Sequence, residues 1–391
     1  MSEWQKVKLG EITQIIDGDR GKNYPKNNEF SNVGYCLFLN TGNVTKEGFT
    51  FENNQFISKE KDNLLRKGKI QRGDLILTTR GTVGNIGFYD NHIKYDNIRI
   101  NSGMVILRVI KDIVDAQFLY QLIRGNECRT YIKSFCTGSA QPQLPIKNLS
   151  QIDIKIPHLL TQHRIASILS RYDSLIENYQ KQIKLLEEAA QRLYKEWFVD
   201  LRFPGHENTK IVDGVPEGWE KMKVGELIAK VPRSKQIPTK DYQKKGVIPI
   251  IDQSRDYIAG YTDDMESKVE SNEPYIVFGD HTRVLKYVPF PFAKGADGTQ
   301  LIMSNNLDLM PQCLLFTSLV SVDLSNYSYA RHFKYLKEEE ILVPTASIAN
   351  AFSKHVVKWY AKIQLNREQL RLLTEARDRL LPKLMNGEIE I

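Results

Sequence analysis

The sequence predicts an α+β protein: two mixed α/β modules joined by two long antiparallel coiled-coil helices, with an internal pseudo-twofold repeat relating the two halves. Three observations lead to this prediction. The chain has 391 residues, which is too long for one ordinary core and suits two. Its opening segment, residues 4–12, recurs as residues 219–227. Each copy then closes with a long segment of helical periodicity.

The two copies agree at both ends and differ in the middle. Their openings, at Trp4 and Trp219, are 215 residues apart (219 − 4). Their closing segments match without a gap at an offset of 187 residues (344 − 157), starting with Pro157 and Pro344. The first copy therefore holds 28 more residues (215 − 187) between its opening and its close. Matching ends around a middle segment of different length are typical of modules that bind different targets on a common scaffold.

The closing segments predict helices because their apolar residues recur at spacings of three and four. In the first copy this stripe comprises Ile165, Ile168, Tyr172, Leu175, Tyr179, Leu186, Leu193 and Trp197, and in the second Phe352, Trp359, Ile363, Leu370, Leu373, Leu380 and Leu384. Two such stripes in one chain bury each other most economically, which predicts an antiparallel pair. Pro382 predicts a kink or stop, with Asn386 and Gly387 as the terminator.

Short β-type runs predict the internal structure of the modules. They are residues 74–78, 105–108, 275–278 and 313–316, and clusters of Gly, Asn and Asp separate them. This pattern is typical of mixed α/β modules with irregular sheets.

Composition limits the classes of function. A formal net charge of +7 favours a polyanionic partner, although charge alone serves solubility as often as binding. The four cysteines form no CxxC pair, which argues against a zinc site or a disulfide framework. No apolar run has the length of a membrane span, and the first residues lack the apolar core of a signal peptide. We therefore expect a cytoplasmic protein with no membrane partner.

Motifs of catalysis are missing from the sequence. It has no phosphate-loop, dinucleotide-binding, zinc-protease or nucleophile-elbow motif, and no Asn-Pro-Pro-aromatic stretch of the kind that amino-methyltransferases use. Gly81, Gly84 and Gly87 are a weak phosphate-loop signal and favour a plain turn. Asp74 and Asp280 fit a scattered metal-nuclease set, although solvated or turn-forming carboxylates are far more common. The sequence predicts no catalytic residue and no metal ligand.

Loop side chains suited to base edges and phosphates are the stronger signal. Arg80 suits guanine, threonine hydroxyls suit phosphates, and the Asn85 amide suits adenine. The second module repeats this arrangement at residues 279–283, again after a β run. Each such segment alone is more often an ordinary polar loop, but together they favour a nucleic-acid surface. The candidate DNA-binding residues are Arg20, Lys22, Thr78, Thr79, Arg80, Thr82, Asn85, Ser139, Gln141, Gln143, Arg233, Lys235, His281, Thr282, Arg283, Lys294, Tyr329, Arg331 and His332.

With both copies laid out, nearly the whole chain resembles the specificity (S) subunit of a type I restriction-modification system. The resemblance rests on the paired openings at Trp4 and Trp219 and on the stretches 138–145 and 329–336 ahead of the closing helices. Both closing helices also carry Leu-Leu-x-Glu-Ala-x-x-Arg-Leu. The resemblance implies target-recognition domains at residues 1–157 and 219–344, long helices at 158–203 and 345–391, and a linker at 204–218.

The resemblance also implies a mode of action. Each target-recognition domain would read one half of an asymmetric, divided double-stranded DNA site, and the helices would set the spacer. The chain, itself non-catalytic, would bind two methylation (M) subunits and, through the complex, motor-nuclease (R) subunits. S-adenosylmethionine, ATP and Mg would belong to those partners, with no cofactor on this chain, and the adenine would be flipped into the methylation subunit.

One departure limits transfer between the modules. Gln141 and Gln143 of the first module match Ser328 and Ala330 of the second at the 187-residue offset. Two other classes of function stay open on the residues alone. One is a nuclease or methyltransferase with a hidden site, and the other is a coiled-coil scaffold that binds only proteins.

Overall fold

The computed structural model describes residues 4–138, 142–296, 298–327 and 331–391. The chain forms two compact units. Unit 1 comprises Met1–Ile176 and Leu372–Ile391, and unit 2 comprises Glu177–Arg371. Each unit thus contains one module together with a part of each long helix.

The module of unit 1 is built from short strands around one four-stranded and one three-stranded sheet. The strands are β1 Gln5–Lys8, β2 Thr13–Asp17, β3 Cys36–Leu39, β4 Val44–Thr45, β5 Gly48–Phe49, β6 Phe56–Ile57, β7 Leu75–Thr78, β8 Ile86–Phe88, β9 Ile98–Ile100, β10 Met104–Val109 and β11 Asp153–Ile156. The four-stranded sheet has the order β2-β10-β7-β8 and the three-stranded sheet the order β6-β3-β9, while β1 pairs with β11 and β4 with β5. The helices are α1 Leu9–Ile12, α2 Lys59–Leu64, α3 Ala116–Arg124, α4 Asn126–Ser134 and α5 Ile146–Ser150.

Two long helices follow the modules. Helix α6 spans Leu159–Tyr194 and ends in a π-helical turn at Lys195–Val199. A short hairpin of β12 (Ile211–Val212) and β13 (Val215–Pro216) then leads to the second module.

The module of unit 2 repeats the plan of the first, again with one four-stranded and one three-stranded sheet. The strands are β14 Glu220–Lys223, β15 Ile248–Ile251, β16 Gly260–Thr262, β17 Lys268–Val269, β18 Tyr275–Gly279, β19 Leu285–Val288, β20 Phe292–Lys294, β21 Thr299–Ile302 and β22 Glu340–Val343. The sheet orders are β16-β15-β20-β17 and β19-β18-β21, and β14 pairs with β22. The helices are α7 Val224–Leu227, α8 Gln312–Ser321, α9 His332–Glu338 and the long α10 Ala346–Met385.

The same pairings recur in the two modules. The opening strand pairs with the closing strand in both, β1 with β11 and β14 with β22. A parallel pair, β3 with β9 and β15 with β20, recurs as well. So does the antiparallel set of β10, β7 and β8, which corresponds to β21, β18 and β19. These pairings, with the two long helices, confirm the predicted α+β class with two mixed modules.

The long helices run antiparallel within unit 2. The Gln182 side chain of α6 accepts from Asn366 Nδ2 of α10 at 3.1 Å. Twelve residues farther along α6, the ring of Tyr194 packs on Phe352 of α10 at 6.4 Å between centroids. Residues farther along α6 therefore contact residues nearer the start of α10, as in an antiparallel pair. The apolar stripes of both helices help form the core of this unit.

Two local predictions were wrong. Residues 313–316, predicted as a strand, lie in helix α8, which is buried on most of its surface. A short apolar run fits a buried helix as well as a buried strand, so periodicity does not separate them. Helix α10 continues through Pro382 to Met385, so the predicted stop at this proline is wrong, while the alternative of a kink stays a prediction. The helix ends, as predicted, at Asn386 and Gly387, the latter with φ of +78°.

Candidate nucleic-acid interface

A turn follows strand β7 in the first module, and backbone hydrogen bonds hold it on both sides. Thr79 N donates to Gly103 O at 2.8 Å, and Thr79 O accepts from Leu144 N at 2.9 Å. The turn is closed by Thr78 N, which donates to Asn85 O at 2.9 Å. It is thus fixed between the start of β10 and the segment that leads into α5.

The second module holds the turn after β18 in the same way. Asp280 N donates to Gly298 O at 2.7 Å, and Asp280 O accepts from His332 N at 3.0 Å. Gly279 N closes the turn on Val284 O at 2.8 Å. We call this shared set of three backbone hydrogen bonds the turn frame. It makes Thr79 equivalent to Asp280, and Leu144 equivalent to His332.

Three of the candidate residues in the first turn are buried. Thr78, Thr79 and Asn85 expose 0%, 4% and 9% of their surface. Thr79 Oγ1 donates to Gly103 O at 3.1 Å, and Asn85 Nδ2 donates to Val44 O at 3.0 Å. These side chains hold the turn in place, and DNA contacts from them stay a prediction.

The structure brings other candidates of the first module together at the edge of the turn frame. Arg20 is exposed and donates to Ser102 O at 3.2 Å. Arg80, next to Thr79 in the frame, forms a β-bridge with the exposed Gln143. The exposed Lys22 and Thr82 lie two residues along the chain from Arg20 and Arg80. Arg20 and Arg80 are thus both attached to the segment at Ser102 and Gly103, Arg20 through Ser102 O and Arg80 through its backbone N, which donates to Gly103 O at 3.2 Å.

The loop that carries Arg20 and Lys22 is anchored by the neighbouring Asp19. This carboxylate is buried and accepts from Gly21 N at 2.8 Å and from Arg66 N at 2.7 Å. The hydrogen bond from Gly21, more than any other interaction, holds the pKa of Asp19 below its ordinary value. Asp19 is thus ionised at neutral pH and keeps the loop folded.

In the second module the turn presents His281 and Thr282, both exposed. Arg283 has a left-handed backbone with φ of +61°. Its guanidinium donates to His332 Nε2 at 3.3 Å and to Tyr327 O at 2.8 Å. His332 is buried, and desolvation lowers its pKa. Arg283 therefore ties the turn to the segment before α9, and DNA contact by either residue stays a prediction.

The remaining candidates lie in varied settings. Lys235 pairs with Asp264 at 2.7 Å and Glu266 at 3.2 Å, and the hydrogen bond to Asp264 is the main cause of its raised pKa. Lys294 is half-buried, and its backbone carbonyl accepts from Ile237 N at 3.0 Å. Arg233 and Arg331 are exposed. Ser139, Gln141 and Tyr329 lie outside the described residues.

Sequence reasoning missed three residues beside the turn frame. Ser102 offers its carbonyl to Arg20, Thr41 lies against Gly103, and the Gln253 side chain accepts from His281 N at 3.1 Å. No motif marks them, because each follows a strand in the part where the two copies differ in length.

The carboxylates considered for a nuclease centre have structural partners. Asp74 accepts from both Nε and Nη2 of Arg108, at 2.9 and 2.8 Å. Asp280 Oδ1 accepts from Phe333 N at 2.8 Å. Within the described ranges, no group of three or more His, Cys, Asp or Glu is arranged to hold a metal ion.

Two further properties concern the whole described chain. The four cysteines are free, and burial raises the pKa of Cys36 and of Cys128 to about 12, so both thiols stay protonated. Among the helices that the structure describes, none is long and apolar enough to cross a membrane.

Comparison with known proteins gives a consistent result. Residues 1–188 match the sequence model of the type I restriction modification DNA specificity domain. The chain is 28% identical to the type I restriction enzyme MjaIX specificity subunit of Methanocaldococcus jannaschii, over 82% of this chain and 78% of that protein. It is 24% identical to the HindI specificity subunit of Haemophilus influenzae over the full length of both.

A solved structure has the same fold. The S subunit of a type I restriction-modification system from M. genitalium superposes with a TM-score of 0.63 at 16% identity. The match covers 98% of this chain and 96% of that one.

Proposed function

Because the chain belongs to the family of type I restriction-modification DNA specificity subunits, we propose that its two modules read the two unequal halves of one divided DNA site. The observation that carries this proposal is the turn frame. The same three backbone hydrogen bonds recur in both modules, while the side chains on them differ. A common frame with different side chains suits two modules that approach DNA alike and read different bases.

Affinity and specificity would come from different side chains. Exposed cations such as Arg20, Lys22 and Arg331 suit phosphates, whose neutralisation gives sequence-independent, salt-sensitive binding. Arg80, Gln143 and His281, on or beside the turns, suit base edges in the major groove. The net charge of +7 supports the first of these roles.

The long helices would set the distance between the half-sites. Helices of 36 and 40 residues exceed what packing of a compact module requires. Within unit 2, apolar side chains of both helices lie in one core, and an antiparallel pair packed in this way would resist bending. Bases between the half-sites would then go unread, which gives an asymmetric site with a spacer.

A duplicated helix face supports the docking of two methylation subunits. Leu185 of α6 and Leu372 of α10 hold the same repeat position, and they expose 58% and 44% of their surface. Both are followed by Glu-Ala and Arg in the same spacing. Two equal faces suit two copies of one partner.

Chemistry would then belong to the partners. The methylation subunits would bring S-adenosylmethionine and receive the flipped adenine, and the motor-nuclease subunits would bring ATP and Mg. Family membership fits a chain that supplies the address and performs no catalysis.

The address-giving role is tested by sequencing modified bases in cells that co-express this chain with its methylation subunit. We expect modified adenines within one divided motif, and exchange of residues 1–157 should change one half only. A continuous or palindromic motif would contradict the proposal. If an assembled complex with a competent methylase marked no motif, a protein scaffold would be the better interpretation.

The docking face is tested with Leu185→Ala and Leu372→Ala. Each variant should lower the number of bound methylation subunits from two towards one, and the double variant should bind neither, as measured by native mass spectrometry. Leu365→Ala is the matched control. Leu365 is 52% exposed on α10, but its repeat position in α6 (365 − 187) is Asn178. Equal losses in all three single variants would contradict a specific face.

A further inference from the structure

We infer that Thr41 and Gln253 are matched positioning residues, one in each module, and that each supports the turn with which its module reads DNA. This inference rests on the proposed function. It adds to the site two uncharged residues that support the turns and that no sequence motif marks. The two residues are equivalent because each follows a strand that has a counterpart in the other module. Each also lies beside the glycine of the turn frame and next to the turn.

Thr41 and Gln253 hold the same position in the strand order of their modules. Leu39, at the end of β3, accepts from Asn101 N at 3.0 Å, and Ile251, at the end of β15, accepts from Gly295 N at 2.8 Å. Both strands pair in parallel with the strand that leads to the turn frame. Thr41 is the second residue after β3, and Gln253 is the second residue after β15.

The residue between strand and positioning residue also has the same role in both modules. Asn40 Oδ1 accepts from Gly42 N at 2.8 Å, and Asp252 Oδ1 accepts from Ser254 N at 2.9 Å. These side-chain turns fix the backbone around Thr41 and Gln253. Both residues therefore leave the strand with the same local geometry.

Both side chains lie beside the glycine whose carbonyl belongs to the turn frame. A Cβ atom on Gly103 would lie 2.8 Å from Thr41 Cγ2, and one on Gly298 would lie 2.8 Å from Gln253 Nε2. The carbonyls of these two glycines accept from Thr79 N and Asp280 N, the residues that start the turns. Each positioning side chain thus rests on the peptide that anchors the turn, and the glycine provides the space.

Both side chains also lie next to the turn itself. In the first module Thr41 Oγ1 lies 3.7 Å from the point where a Cβ atom of Gly81 would stand, so Thr41 borders the turn on this side. In the second module Gln253 Oε1 accepts from His281 N at 3.1 Å, and Gln253 O accepts from Thr282 Oγ1 at 2.6 Å. The support is by packing in the first module and by hydrogen bonds in the second.

This difference sets the design of the variants. Gln253→Ala removes the side-chain acceptor and the packing, and Gln253→Met keeps the bulk but removes the acceptor. Thr41→Ala removes the methyl that lies on Gly103, whereas Thr41→Val keeps it. We expect both Gln253 variants to weaken reading by module 2, Thr41→Ala to weaken reading by module 1, and Thr41→Val to resemble the wild type.

The measurement uses the complex with its methylation subunits. The divided site is first identified by sequencing, and each half is assigned by exchange of residues 1–157. Affinity is then measured for duplexes that carry the site or one base change in either half. Gln253→Ala and Gln253→Met should lower discrimination in the half-site of module 2 about tenfold, with less than about a twofold change in the other half. Thr41→Ala should do the reverse.

Salt dependence separates positioning from phosphate contact. A lost phosphate contact makes the slope of log affinity against log salt shallower by about one, whereas a lost positioning residue leaves it unchanged. Equal loss in both half-sites, no loss in either, or a shallower slope would each overturn the inference. If Gln253→Ala fails to assemble, Gln253→Met decides the matter in module 2. If the wild-type complex marks no divided site, the proposed function fails, which is a different result from a wild-type site that the variants leave unchanged.

Discussion

The two units attach their modules to the long helices with opposite chemistry at one repeat position. In unit 1 the position is Asp173 of α6, which accepts from Arg124 of α3 at 2.8 Å and from Arg377 of α10 at 3.0 Å. In unit 2 the corresponding position (173 + 187) is Tyr360 of α10. Its ring packs on Tyr287 at 4.7 Å, and its hydroxyl shares a 2.9 Å hydrogen bond with Thr317 of α8.

In both units a helix of the module, α3 or α8, meets a long helix at this repeat position. The place of contact is therefore the same in the two units, while the interaction is ionic in one and aromatic in the other. Asp173 is one-quarter exposed in its side chain, and its two arginine partners expose 10% and 14% of theirs. Partly buried charges of this kind lose much of their attraction to desolvation and respond to salt. The ring and hydroxyl contacts of Tyr360 have neither property.

The largest effect is expected at the aromatic attachment. Tyr360→Ala removes a ring that is 5% exposed and leaves a cavity beside Tyr287 and Phe316, which should cost unit 2 about 3–5 kcal/mol. Tyr360→Phe, which loses only the hydrogen bond to Thr317, should cost about 1 kcal/mol.

Denaturant unfolding followed by tryptophan fluorescence measures this change in unit 2. Trp197, Trp219 and Trp359 belong to unit 2, whereas only Trp4 belongs to unit 1. If Tyr360→Ala and Tyr360→Phe had equal effects, packing would not be the main contribution of the ring.

The ionic attachment should be the weaker of the two. Asp173→Ala leaves Arg124 and Arg377 without their shared carboxylate, and we expect unit 1 to lose about 2–4 kcal/mol. About 1 M salt should shrink this loss by screening the wild-type contacts. Glu368→Gln is the control, because its pair with Arg371 is nearly half-exposed on both sides and should matter by less than about 0.5 kcal/mol.

Hydrogen exchange resolved by peptide assigns the loss to a unit. Faster exchange in α3 and in the end of α10, with α8 unchanged, is the expected pattern. Slower unfolding of the Asp173→Ala variant, or equal exchange changes in α3 and α8, would remove the contrast between the two attachments.

The sequence predicted the parts of this arrangement that depend on periodicity and repetition. Both long helices and the strands around residues 75–78 and 275–278 follow from local spacing, and the antiparallel pairing of the helices follows from the pseudo-twofold relation between the copies. The strand predicted at 313–316 was wrong because α8 is buried nearly all round, so its apolar run has no polar face to reveal the helix.

The burial of three candidate residues could not be predicted from the sequence, for a different reason. Thr78, Thr79 and Asn85 are polar residues after a strand, but backbone carbonyls of distant segments take up two of those side chains. Thr41 and Gln253 were missed because the copies differ by 28 residues between their ends, so neither offset aligns them. Only the hydrogen-bond registers of the sheets show that they correspond.

The smallest expected effect is a pH dependence that one module has and the other lacks. In the turn frame, His332 of module 2 corresponds to Leu144 of module 1. Burial, above all, and the nearby Arg283 and His281 lower the pKa of His332 from 6.5, while Asp280 acts in the opposite direction. The unfolded state therefore binds the proton more readily, and the contribution of this residue to stability is lost as pH falls from about 6.5 towards the lowered value.

Base discrimination in each half-site, measured on the assembled complex at about pH 7.5 and about pH 5.5, tests this difference. Discrimination by module 2 should fall at the lower pH, while discrimination by module 1 should change less. His332→Leu, which introduces the residue of the other module, should make module 2 insensitive to pH over this range. If the discrimination of module 2 still depended on pH in His332→Leu, the titrating group would be a different one. If discrimination fell equally in both half-sites, the turn frame would tolerate a protonated histidine as well as it tolerates a leucine.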